Sequence, residues 1–202
     1  MNSVLKKNMN KIQQYIIAGA LGLGTVLPAR AQATFTQTEV ATPTQIISRS
    51  EIVASDGDFD LYATVELAEK NLANIRLQWI PLDAGIVSFG IIGRYFGSEG
   101  TRSRAAWGGV VRVKDRVAGG IAKGDIRYFP DIETFTTYGF WKSGSIFVNV
   151  LGSYNVDNGR YMARPGFDVN LGELSLGIEA KISGKEGHAH VDYIGPRVMG
   201  SW

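Results

Sequence analysis

The feature that most constrains this chain is strict alternation of apolar and polar residues with a period of two, repeated along its length. Leu174, Leu176, Ile178, Ala180 and Ile182 fall on one face of an extended segment, with Glu173, Ser175, Gly177, Glu179 and Lys181 on the other. Successive side chains of a strand point to opposite faces, so this pattern makes a strand with two unlike faces. The preceding segment repeats it, Tyr161, Ala163, Phe167 and Val169 alternating with Met162, Arg164, Gly166, Asp168 and Asn170, although Pro165 lacks a ladder donor and predicts a local irregularity. Phe59, Leu61, Ala63, Val65 and Leu67 alternate with Asp60, Tyr62, Thr64 and Glu66; Ala73, Ile75, Leu77 and Trp79 with Asn74, Arg76 and Gln78; Ile146, Val148 and Val150 with Ser145 and Asn149.

Ten such segments are predicted, near 59–67, 73–82, 86–96, 103–114, 117–129, 134–142, 145–155, 159–170, 173–183 and 190–200, each of the length that a tilted membrane strand requires. A count of eight is the alternative, because alternation is poor around Val117–Phe129 and Thr134–Lys142. Taking the first strand outward, the outer connections are Ala68–Leu72, Gly97–Arg102, Pro130–Glu133, Val156–Asn158 and Gly184–Ala189, and the inner ones are Asp83–Gly85, Asp115-Arg116, Ser143-Gly144 and Leu171-Gly172. The inner set is generally shorter, as periplasmic turns are. Asp157-Asn158-Gly159 is a hairpin signal.

The N-terminal region reads as an export signal. Lys6, Lys7 and Lys11 precede a mostly apolar stretch from Tyr15 to Leu27, which Pro28 and the small-residue run Ala29-Arg30-Ala31 close. That stretch is too short for a bilayer span of about 20 residues, so residues 1–31 are predicted to be a cleavable signal peptide. Residues 32–57, rich in Thr, Gln and Ser, read as a periplasmic lead-in segment, and 58–202 as the barrel domain. No later apolar run is long enough for a membrane helix, so a membrane-inserted form has to be a closed barrel.

Charge and cysteine content exclude several classes. The chain carries 21 basic and 19 acidic residues, and Lys6, Lys7, Lys11 and Arg30 of the leader supply four of the basic ones. The remainder therefore has no basic excess, and no nucleic-acid partner is expected. With no cysteine, disulfide staples and thiolate zinc sites are out. No cofactor is implied.

These segments, with 25 glycines and with Trp79, Tyr95, Tyr128, Trp141 and Tyr154 near segment ends, resemble bacterial outer-membrane β-barrel proteins. The terminal pattern Tyr193-x-Gly195-x-x-Val198, finishing at Trp202, resembles the aromatic-ended last strand recognised by the barrel-assembly machinery; Gly200, Pro196 and Arg197 depart from it. The resemblance implies an all-β, antiparallel up-and-down transmembrane β-barrel in the outer membrane, with outer-membrane lipid and the assembly machinery as partners. The alternative is a soluble periplasmic barrel binding an apolar ligand, which would alternate equally but with its apolar face inside.

The polar faces hold Arg76, Arg94, Arg112, Lys123, Arg127, Arg160, Arg164 and Lys181 against Asp60, Glu66, Asp125, Asp168, Glu173, Glu179 and Asp192. In a narrow lumen such groups have to pair, which predicts an Arg–carboxylate ladder drawn from Arg76, Arg94, Arg112, Arg127, Arg160, Arg164, Glu66, Asp168, Glu173 and Glu179. A surplus of guanidinium in a water-filled passage would favour anions. His188 and His190, with Asp192, form a candidate transition-metal set at the last outer connection. They also suggest an outer-membrane hydrolase as an alternative function. The lipid A deacylase type, however, uses an adjacent His-Ser pair, which neither histidine provides, and the chain is too short for the projecting strands of the omptin type. No catalytic residue is assigned, and the first expectation is a non-enzymatic barrel, either a narrow channel or a structural and surface-interaction protein.

Overall fold

The computed structural model describes residues 32–56, 59–67, 72–98 and 104–201. The signal-peptide reading of residues 1–31 and terminal Trp202 lie outside these residues. Twelve strands run through the described residues: β1 (Gln32–Ala41), β2 (Ile46–Asp56), β3 (Phe59–Leu67), β4 (Leu72–Ala84), β5 (Val87–Ser98), β6 (Arg104–Val117), β7 (Gly120–Phe129), β8 (Thr134–Ser143), β9 (Ile146–Asn155), β10 (Arg160–Asn170), β11 (Leu174–Lys185) and β12 (His188–Ser201). A 3-10 turn, Pro130–Ile132, joins β7 to β8. Each strand pairs antiparallel with its sequence neighbours, and β1 pairs with β12 to close the barrel, leaving no free edge.

The expectation of about ten strands is corrected to twelve. The ten alternating segments all form strands, and the two additional ones come from the stretch read as a lead-in. For β2 the physical reason lies in its faces. Ser48 and Ser50 point outward beside Ile46 and Ile52, while Ile47 and Val53 point inward beside Arg49 and Glu51, as the pairing of Arg49 with Glu66 and of Ser50 with Val65 fixes. Both faces are mixed, so the period-two contrast cancels although the strands pair well.

The two rims differ. The connections at 57–58, 85–86, 118–119, 144–145 and 171–173 are two or three residues long and share a rim with the start of β1 and the end of β12. The opposite rim carries four- and five-residue connections, with only the β11–β12 turn shorter. The turn after β6 falls at Ala118-Gly119 rather than Asp115-Arg116, and both its residues have positive φ, +50° and +73°. This backbone suits the right-handed twist of a two-residue hairpin and costs a non-glycine residue about 1 kcal/mol.

Pro165 leaves a gap in the β10–β11 ladder between the Ala163–Ile182 and Gly166–Glu179 pairs, without shifting the register, while the other side of β10 pairs continuously with β9. Bulges occur between Trp79 and Leu82, where Pro81 sits, and at Lys181/Ile182.

The order of faces is the informative property. Ile75, Leu77, Ile91, Trp107, Ile126, Val148, Phe167, Leu176, Ile178, Ile194 and Val198 are exposed on the outside. Asp60, Gln78, Arg112, Asp125, Arg127, Asp168, Glu179 and Arg197 are buried within. A soluble barrel places these sets the other way round. Outward aromatics gather near the strand ends: Phe59 stacks on Trp79 with ring centroids 5.9 Å apart, and Tyr128 packs on Phe135 at 4.5 Å. Trp107 lies over Gly93 on the neighbouring strand, where a Cβ would stand 2.7 Å from the indole.

Candidate functional site: the charged lumen

A strand spacing of 4.8 Å and a tilt of roughly 40° give a twelve-strand barrel a backbone diameter of roughly 24 Å. That is wider than an arginine and a carboxylate bridge from opposite walls of a circular barrel, so the side chains that meet across the lumen, in two networks, do so where the barrel is flattened.

The first network joins β2 and β3 to β10, β11 and β12. Arg164 on β10 donates through Nη1 and Nη2 to the two carboxylate oxygens of Glu66 on β3, at 2.5 and 3.0 Å. These strands are separated by β2, β1, β12 and β11, so the pair spans nearly the full lumen. Arg49 donates Nε to Glu66 at 3.2 Å and both Nη atoms to Glu179 at 3.1 and 3.2 Å. Glu179 also accepts from the Tyr193 hydroxyl at 2.6 Å and from Arg197 Nη1 at 3.0 Å. Arg197 reaches Asp168 through Nε at 2.9 Å and through Nη2, and Asn149 at 3.1 Å. With Glu179 and Asp168 almost fully buried, each carboxylate has the partners that a low-dielectric interior demands.

The second network crosses between β3, β4, β6 and β7. Arg112 grips Asp125 with Nε at 2.8 Å and Nη2 at 3.1 Å, and also donates to Asp60. Asp60 accepts from Ser55 at 2.7 Å and lies 3.8 Å from the Lys123 ammonium. Arg127 donates to Gln78 at 2.5 Å and to Asp125 at 2.9 Å. Beside this network, Ile80, Ile92, Ala106, Val110 and Phe129 pack into a buried apolar cluster on the inner wall of β4 to β7, with Ile132 of the 3-10 turn against it.

Of the sequence-predicted ladder, Arg112, Arg127, Arg164, Glu66, Asp168 and Glu179 enter these networks. Arg76 and Arg94 occupy the inner face but make no ion pair among the described residues: Arg76 lies over the Tyr62 ring, 5.0 Å from its centroid, and Arg94 donates to Asn74 at 2.9 Å and lies over Phe96. Arg160 is exposed at the long-connection rim, and Glu173 is exposed in a short turn; neither joins the ladder. Arg49 and Arg197 were not in the predicted set, yet each is a hub. Arg49 lies in the segment expected to be a lead-in, and Pro196 and Arg197 depart from the expected last-strand pattern, whereas β12 runs through both.

The histidines separate. His188 contributes its carbonyl to the Tyr161 hydroxyl at 3.2 Å, while His190 Nε2 stands 2.8 Å from Asp192 and 3.2 Å from Ser183. The Lys181 ammonium lies 2.9 Å from Asp192, where a metal cation would have to compete with it, and among the described residues no three metal-type ligands converge. Ser183, His190 and Asp192 are the residue types of a hydrolase triad, but the hydroxyl and the carboxylate both approach the same ring nitrogen. Ser183 also gives its proton directly to Asp192, at 2.8 and 3.0 Å. A triad requires the carboxylate on one imidazole nitrogen and the nucleophile on the other. Lys181 and Asp192, with Tyr193 and the β1–β2 connection Thr42–Gln45, instead line a cavity of about 260 Å³ that abuts the Glu66–Arg164 crosspiece.

On β12, Tyr193 and Gly195 face the lumen and Val198 faces outward, so the proposed assembly pattern straddles both faces.

No known protein-family model and no curated protein sequence matches the chain. Solved structures do resemble it. The outer membrane protein Omp33 of Acinetobacter baumannii superposes with a TM-score of 0.52 at 6% identity, over 85% of this chain and 98% of that one. A KdgM porin, solved in complex with disordered oligogalacturonate, gives 0.53 at 11% identity, over 83% and 96%. The likeness is one of fold: this chain has the closed barrel of bacterial outer-membrane proteins.

Proposed function

We propose that the protein is a non-enzymatic outer-membrane barrel that forms a narrow channel with a guanidinium-rich interior, favouring small anionic solutes. The observation that carries this reading is the inverted order of faces, apolar outward and ionic inward, in a closed barrel. Strands of 9 to 14 residues suit a tilted crossing of the hydrocarbon core, and the short-turn rim, which holds both ends of the strand order, would lie in the periplasm. The KdgM neighbour is a porin, which agrees with a transport role. Anion preference follows from Arg76 and Arg94, which face the lumen without a carboxylate partner among the described residues.

The Glu66–Arg164 bridge supports a second reading, a sealed barrel with a structural role. Planar-bilayer recording separates the two. A small steady conductance, with a reversal potential under a salt gradient that reports anion preference, is the expected result for the channel. A silent wild type with a conducting Arg164→Ala variant would mean a sealed barrel, and silence of both would overturn the channel reading.

A further inference from the structure

Arg76 on β4 and Arg94 on β5 stand directly opposite one another in the antiparallel register, both on the lumen face. Like charges so placed destabilise a sheet, and neither has a carboxylate within ion-pair distance among the described residues. Arg127 on β7 faces the same lumen; it donates to Gln78 and Asp125 but leaves Nη1 buried without a partner. Two donors here are buried without any hydrogen-bond partner, Arg76 Nε and Arg127 Nη1. Glu51 of β2 points into the same lumen but forms no ion pair with Arg76 among the described residues. Among the described residues, Arg49, Arg112, Arg127, Arg164 and Arg197 each pair with a carboxylate, whereas Arg76 and Arg94 do not, and their facing charges are left unneutralised.

We infer that Arg76, Arg94 and Arg127 form a discrete binding site for a small multi-oxygen anion, of the phosphate or sulfate type, on the lumen wall. The inference deepens the channel reading by naming a site within the passage, but the chemistry of the site does not need the passage to be open. A tetrahedral oxyanion presents several acceptors and two charges, so one ion can take charge-assisted hydrogen bonds from more than one guanidinium and cancel their mutual repulsion. Chloride supplies one charge and no directional oxygen. The rings of Tyr62 and Phe96 under Arg76 and Arg94 hold the two guanidinium planes in place, which lowers the ordering cost of capture.

The test is thermal unfolding of the detergent-folded full chain, followed by gel heat-modifiability, in sodium phosphate against sodium chloride at equal ionic strength. Phosphate is expected to raise the midpoint progressively with its concentration beyond the effect of chloride. Arg76→Gln and Arg94→Gln are each expected to weaken that response roughly tenfold or more in phosphate concentration, the size of one charge-assisted hydrogen bond. Because each removes a like-charge contact, both variants should fold at least as stably as the wild type in chloride. Arg160→Gln, at the exposed rim, should keep the full response. Equal phosphate responses in wild type, Arg76→Gln and Arg94→Gln, or no response beyond chloride, would overturn the site. A phosphate response lost in the two variants, in a protein silent in planar bilayers, would uphold the site while the channel reading fails.

Discussion

Glu179→Gln is the most demanding test of the ionic lumen, because it changes one atom type and almost no volume. Glu179 accepts four hydrogen bonds, two from Arg49, one from Tyr193 and one from Arg197. The amide that replaces it keeps one acceptor oxygen and turns the other position into a donor facing guanidinium donors. About two charge-assisted bonds are lost, each contributing about 1.5–3 kcal/mol. Arg49 retains Glu66 and Arg197 retains Asp168, so neither arginine is fully orphaned and the upper end is not reached. A loss of about 3–5 kcal/mol follows, the range for breaking a buried pair. Urea unfolding from lipid vesicles, followed by tryptophan fluorescence, measures it. Glu173→Gln, in an exposed short turn, is the control and should stay within about 0.5 kcal/mol of wild type. A Glu179→Gln loss below about 1 kcal/mol would refute the reasoning, since it would show the network to be hydrated and loosely coupled.

Three further outcomes are expected. Ile178→Arg places a charge on the outward face, where the side chain is 56% exposed, and should cost about 2–4 kcal/mol in the same lipid-based unfolding assay if that face meets hydrocarbon; a neutral result would place the face in water. Ala118→Gly relieves a positive φ of +50° in a two-residue turn and should stabilise by about 0.5–1 kcal/mol, measured by the urea midpoint. Glu66→Gln removes the charge that anchors Arg164 across the lumen, so single-channel conductance should rise together with anion preference, and an unchanged conductance would show that this bridge does not limit the passage.

The alternation of strands such as β11 was legible because one face meets apolar surroundings and the other an ionic lumen, giving two unlike residue sets at period two. The alternation carries no sign, however: Leu176 and Ile178 would alternate with Ser175 and Glu179 equally well in a soluble barrel, and only closure of the sheet shows which set lies inside. β2 escaped because both its faces are mixed, and with it went Arg49, which links Glu66 to Glu179. The charged positions of the lumen could be counted from sequence, but their pairing could not. Glu66 meets Arg164 across 98 residues of chain, and no local signal encodes such a contact. Arg76 and Arg94 show the same limit in reverse: their alternation places them inward, while their facing register, with no carboxylate partner among the described residues, appears only once β4 and β5 are paired.

The central claim is the order of faces, and the most direct measurement is tryptophan quenching in folded, vesicle-inserted protein. Trp107 and Trp79 lie on the outer surface, 66% and 42% exposed. Lipids brominated on their acyl chains should quench them strongly, whereas aqueous iodide should reach them poorly. Efficient quenching by iodide with little effect of brominated lipid would place the apolar face in water and contradict the membrane barrel.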